Sequence, residues 1–320
     1  MSTFPRKEGV FESGQKQSER FAIGFGVYDY IWEEPIQQLT TMDTSLTSLE
    51  DINIFRERTS ALFDEAHERA KHLPDNTVQV IPGEKMFNSI QDAIESIHDA
   101  SQKLQYQVLI GPGTYNERVK TKEYIFVVGA GPDETRINQH GFEDKYVGAI
   151  QAMGNGGISQ LTINATGPHP DADSIGNFFC IGILILTSGR YHIKVVNIHA
   201  TDNGNKGVNV RGISNKGDAP TDVLLINTCT ISATGTGKDS TSVAIEAFKE
   251  AAQYDIDLCQ ITAGPHGSGI TSAENARITV DESTITGQIY ALYDMDGNST
   301  ITATKCTING PISPGVIVNP

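Results

Sequence analysis

Six short phrases in this chain are variations on one another: LTINATG at 161–167, VNIHATD at 196–202, CTISATG at 229–235, CQITAGP at 259–265, STITGQI at 283–289 and CTINGPI at 306–312. Each is anchored by an isoleucine (Ile163, Ile198, Ile231, Ile261, Ile285, Ile308), at intervals of 35, 33, 30, 24 and 23 residues. Ile137 and Ile110 extend the series upstream at intervals of 26 and 27. An alternating strand pattern precedes the later phrases, as at His192–Val196, Val223–Ile226, Tyr254–Leu258, Arg277–Val280 and Thr300–Ala303. Another short strand follows each of the first five, at Gly182–Leu186, Gly207–Arg211, Val243–Phe248, Gly269–Ala273 and Ile289–Asp294. A single repeat of this size cannot bury its own apolar face, whereas stacked repeats share one continuous core. The tight Asn-Gly turns of a hairpin-built sandwich are largely missing. The pattern therefore predicts an all-β chain, a single-stranded right-handed parallel β-helix over residues 76–320.

Residues 1–75 read differently. Phe21–Trp32 is aromatic, and Thr47 with Glu50 forms a capping box ahead of apolar positions Leu49, Ile52, Phe55, Leu62, Phe63, Ala66 and Ala70. This predicts an N-terminal arm with a helical extension, and a capping helix is expected at Asn88–Ser101. The 24 basic against 39 acidic residues leave a net charge of −15. That balance selects against nucleic acid and against an anionic membrane surface. No secretory segment is visible, no apolar run approaches a membrane span, and the four cysteines contain no close CxxC pair. The expectation is a cytoplasmic protein with reduced thiols.

Residues 87–137 resemble the opening of pectinesterase-like β-helix proteins. The match is carried by Gly113-Thr114-Tyr115, Glu117 and Val119, then Gly129, Gly131, Thr135 and Ile137. The resemblance implies a helix-capped right-handed parallel β-helix. It does not carry over the esterase chemistry. Thr284–Asp294 aligns with the phrase holding that family's nucleophilic aspartate, but Tyr290 stands at its place. Gly269-Ile270-Thr271-Ser272 lacks the second aspartate, and the arginine-bearing phrase is absent. A phenol with pKa near 10 does not replace an ionised carboxylate nucleophile at neutral pH.

Strict alternation along the strands of that face places Ile183, Ile185, Val208, Val210, Val243, Ile245, Ile270, Ile289 and Ala291 inward. Leu184, Leu186, Asn209, Arg211, Glu246, Phe248, Thr271, Tyr290 and Leu292 then form an outward strip. In this reading Glu246, Tyr290 and Arg211 are the catalytic candidates: acid, base and holder of a carboxylate or enolate. Asn209, Leu184, Phe248, Thr271, His266 and Leu292 line the substrate, under loops that carry His169, Asp171 and Asp173. The alternative is leucines packed under loops beside a neighbouring Glu246–Arg211 ion pair. Elsewhere, Asp255 and Asp257 face a position expected to hold Arg277, as a salt bridge, and Cys229, Cys259 and Cys306 fall in register as stacked core residues. No metal or cofactor motif is present.

Three functions fit. The first is a cofactor-independent acid–base enzyme (lyase, isomerase, dehydratase or cyclase) acting on a small metabolite in a groove on this face. The second is a carbohydrate-active or carbohydrate-binding β-helix. The third is a non-catalytic structural or assembly module, with homo-oligomerisation through the arm at 1–75.

Overall fold

The computed structural model describes residues 76–320 apart from 81–86, 141–146, 168–177, 203, 205–206, 216–221, 238 and 249–251. The arm and its capping box, and His169, Asp171 and Asp173, lie outside the described residues. From Thr77 onward the described strands pair in parallel throughout, in two sheets. One runs through Thr77–Val80, Tyr106–Ile110, Ile125–Val128, Gly156–Thr166, Gly189–Thr201, Asp222–Asn227, Gln253–Asp257, Arg277–Asp281, Thr300–Thr304 and Ile317–Asn319. Parallel neighbours in sequence order need a crossover each time, and repeating that crossover winds the chain into a right-handed parallel β-helix.

The anchoring isoleucines form one column. Ile137 pairs with Ile163, then Ile198, Ile231, Ile261, Ile285 and Ile308 in turn. Ile137 to Ile285 are fully buried, each worth about 1.5–3 kcal/mol of burial. The upstream end differs from the expectation. Ile110 pairs with Val80, and the residue beneath Ile137 is Tyr115. The column accepts an aromatic ring there, and its hydroxyl donates to the Gly111 carbonyl at 3.1 Å.

Each coil bends just before its anchor by a single residue at positive φ: Gln160, Val195, Thr228, Leu258, Glu282 and Lys305, with φ between 45° and 58°. After that bend the chain presents one inward residue (Leu161, Val196, Cys229, Cys259, Ser283, Cys306), then one polar outward residue, then the anchor. The two strand flanks beside the bend belong to the same large sheet; Gly156–Thr166 and Gly189–Thr201 run through it unbroken.

The second sheet closes the coil opposite the anchors. It comprises Val119–Lys120, Gly148–Ala152, Phe178–Ile185, Val208–Asn215, Thr241–Phe248, Gly267–Ala273 and Tyr290–Asp294. The two walls come very close. A Cβ on Gly182 would lie 2.4 Å from Ile198 Cγ2, and one on Gly212 would lie 2.6 Å from Ile231 Cγ2. Gly269 meets Ile285 Cγ2 in the same way, at 2.7 Å, so glycine faces these three anchors.

The helix Ile90–Ser96 covers the first coil, shorter than expected because Ile97 is already extended. Ser89 caps it by accepting from the Asp92 amide, and Glu117 completes the cap. Among the described residues no helix is long and apolar enough to cross a membrane.

Candidate functional site

The small-residue column decides which side chains reach the outer face of the second sheet. Gly212 faces Ile231, and the next residue, Ile213, also belongs to the core. Two successive inward positions break the alternation, so every residue beyond them changes face relative to a strict period of two. The register follows: Ile181–Arg211–Val243–Ser268–Tyr290 is one column and Leu184–Ser214–Glu246–Thr271–Tyr293 another.

Several expectations change accordingly. Leu292 pairs with Ile270 and is fully buried in the core, so it cannot line a ligand. Leu184 is also fully buried. Val243 belongs to the Arg211 column, and Ile289 is exposed rather than inward. Tyr290 does not share a column with Glu246; Tyr293 does. His266 is exposed, at φ 56°, in the turn entering Gly267–Ala273.

What the fold brings together is a five-residue network over two coils. Arg211 Nε donates to Glu246 Oε1 at 2.8 Å, and Ser214 Oγ donates to Glu246 Oε2 at 2.5 Å. Arg211 Nη1 donates to the Val210 carbonyl at 3.0 Å and to Thr241 Oγ1 at 3.2 Å. Thr241 Oγ1 in turn donates to Asn209 Oδ1 at 2.7 Å. Arg211 lies over the ring of Phe179, 5.9 Å from its centroid. Both members of the ion pair are nearly buried, Arg211 at 9% and Glu246 at 4% exposure. Burial makes the pairing obligatory, because either charge alone would be left without water or partner.

The network's chemistry follows from its saturation. Both Glu246 oxygens already accept a hydrogen bond, so the carboxylate acts first as the clamp that orients the guanidinium. One rung further, Thr271 is 3% exposed, and its hydroxyl has no hydrogen-bond partner among the described residues. One more rung on, Tyr293 stacks on Tyr290 with ring centroids 4.3 Å apart and planes 5° from parallel. The two columns that hold Arg211 and Glu246 thus both end on an aromatic pair, about 10–14 Å away at about 4.8 Å per rung. Phe248 is half-buried at the far edge, its amide donating to Asn215 Oδ1 at 2.7 Å. Tyr293 and Ser214 were missed because their columns depend on the double inward step, which no spacing in the sequence marks.

A second concavity lies on the large sheet, a groove of about 360 Å³ whose lining includes Leu225, Asn227, Asp255, Asp257, Thr279 and Asp281. The expected salt bridge is not formed there. Arg277 pairs with Gln253, Asp255 with Thr279, and Asp257 with Asp281, so carboxylate stacks on carboxylate. Among the described residues no group of His, Cys, Asp and Glu is arranged to hold a metal ion. Glu117 and Thr135, two residues of the pectinesterase-like resemblance, do structural work. Glu117 accepts from Ser89 Oγ at 2.8 Å and from the Ile90 and Gln91 amides at 2.9 and 3.0 Å. Thr135 Oγ1 accepts the Ala130 amide and donates to the Gly111 carbonyl.

No family model matches this sequence, and no curated protein matches it either. Solved structures do. A pectin methylesterase from Erwinia chrysanthemi is 14% identical, with 75% of this chain and 81% of that one covered, at a TM-score of 0.48. The pectin methylesterase from carrot is 13% identical, with 77% and 88% covered and a TM-score of 0.46. The A-module of a mannuronan C-5 epimerase from Azotobacter vinelandii is 15% identical, with 71% and 85% covered and a TM-score of 0.25. Each is a protein to which this chain is similar. The architecture itself, a right-handed parallel β-helix, stands on the strand register above.

Proposed function

We propose that the outer face of the second sheet is a binding face for a carbohydrate carrying an acidic group. The observation that carries this is the shared pair of columns: a clamped guanidinium at one end and stacked tyrosines at the other, on one wall of a rigid solenoid. The hydrogen bonds among the described residues use Arg211 Nε and Nη1, which leaves Nη2 to meet a carboxylate. The tyrosine pair offers a flat apolar platform with polar rims, of the kind a sugar ring stacks on. Asn209, half-buried on the same coil as Arg211, adds a hydroxyl-recognising amide beside the guanidinium. A chain of net charge −15 disfavours a long polyanion, so the ligand is a short one, its acid neutralised locally.

An array of neutral and uronate-bearing oligosaccharides, followed by calorimetry, tests the reading. Binding is expected only for acidic members. Tyr293→Ala and Arg211→Lys should each weaken it about tenfold, or roughly 1.4 kcal/mol. Absence of binding across the array, or equal affinity in both variants, overturns it.

Acid–base catalysis on a small metabolite is the second reading, and the shared column of Glu246 and Tyr293 favours it. Glu246 would then act through Ser214, with Tyr293 in place of Tyr290 as the phenol of its own column. Turnover unchanged in Glu246→Gln, once a substrate is in hand, removes that reading and leaves the binding face.

A further inference from the structure

We propose that Cys229 and Cys259 form an oxidation site, a thiol pair that closes into a disulfide linking two consecutive coils. The argument starts from register. The residues that follow them, Thr230 with Gln260 and Ile231 with Ile261, are direct neighbours, and the Gln260 amide donates to the Cys229 carbonyl at 2.8 Å. The two cysteines thus sit one rung apart, about 4.8 Å between Cα atoms, inside the span of about 4.4–6.8 Å that a disulfide bridges. Both face inward after the bend and both are 3% exposed. Each thiol donates to a backbone carbonyl beside its own bend, Cys229 to Asn227 at 3.2 Å and Cys259 to Asp257 at 3.1 Å, so the two sulfurs are held alike on consecutive coils.

The rest of the column makes the pair specific. Beyond Cys259 comes Ser283, whose Oγ accepts the Cys259 amide at 2.9 Å and donates to the Asp281 carbonyl at 2.7 Å. Cys306 lies a further rung on, so it is two rungs from Cys259 and out of disulfide reach. Cys180 is on the second sheet, its thiol pushed up to about 12 by burial and donating to the Thr201 and Ala165 carbonyls. Burial holds the Cys229 thiol well above its ordinary range, so the first attack falls to Cys259.

The oxidant is a small diffusible two-electron acceptor such as a diazene. Cys259 thiolate adds to one nitrogen of the N=N bond, which takes up a proton. Cys229 thiolate then attacks the Cys259 sulfur, the S–N bond breaks, and the hydrazine leaves with the second proton. Two thiols are oxidised and one N=N bond is reduced.

The test uses the full chain, fully reduced and then exposed under native conditions to diamide. Denatured thiol counting should fall from four to about two per chain and return to four with dithiothreitol. Unreduced peptide mapping should join the Cys229 and Cys259 peptides within one chain, and the oxidised protein should melt several degrees higher. Because serine at 229 or 259 risks misfolding, the same loss is required of the Cys180→Ser/Cys306→Ser double variant, which keeps only the pair. Retention of all thiols in the native protein, a link to Cys306 or Cys180, or links only between chains overturns the proposal.

Discussion

The bends are made residue by residue, and they hold residues that do not favour them. Leu258 sits at φ 52° with 52% of its surface in solvent, so it carries both left-handed strain and exposed apolar area. Asparagine tolerates that conformation and the solvent. Leu258→Asn is therefore expected to stabilise the protein by about 1 kcal/mol, raising the melting temperature by about 2–4 °C. Calorimetry that finds no gain or a loss contradicts this account of the bend. His192 shows the other residue-scale effect. Burial first, and the Arg190 charge second, pull its pKa from 6.5 to about 4. The folded protein thus keeps the ring neutral where the unfolded chain protonates it, so stability present above pH 6.5 drains away as pH falls toward 4. His192→Gln should flatten that limb by on the order of 2 kcal/mol in denaturant titrations between pH 7 and 4.5, while leaving the limb below pH 4 unchanged. These effects were invisible in the chain itself, because neither a φ angle nor the burial of one ring is written in a hydropathy pattern.

At the scale of elements, the helix Ile90–Ser96 is too short to hold itself and depends on what docks its first turn. Ile90, Ala93 and Ile94 bury its inner face, and Glu117, from the coil beneath, accepts from Ser89 and from the Ile90 and Gln91 amides. That single carboxylate replaces water at orphan helix donors and sits at the positive end of the dipole. Glu117→Ala should cost about 2 kcal/mol and raise hydrogen exchange in 90–96 selectively, whereas uniform exchange across all coils would show the contact to be incidental. The helix is legible from its apolar spacing; its Ser89 cap belongs to the structure, and Glu117 stands out only as part of a family-like phrase. The strands divide similarly. Those beside the anchors are readable because inward and outward residues alternate on either side of the one-residue bend. On the second sheet strict alternation fails, because Gly182 and Gly212 are wall residues pressed against Ile198 and Ile231 and the isoleucine after each is inward too. The step that follows them carries Tyr293 into the Glu246 column and sends Leu292 into the core.

For the whole molecule, each coil touches its neighbours through the same columns, so stability adds along the axis. The recurring isoleucines, the small turns and the polar residues between them were enough to determine a wound parallel solenoid, because only stacking hides an apolar face that returns every 23–35 residues. Which coil residues meet on the outer wall was left to the tertiary structure. Two successive inward residues in the strands of the second sheet decide which side chains beyond them reach the outer face. Hence Arg211 and Glu246 could be named from the chain, while their clamping by Ser214 and Thr241, the stacked tyrosines below them and the paired thiols across the bend exist only once the coils are laid one upon another.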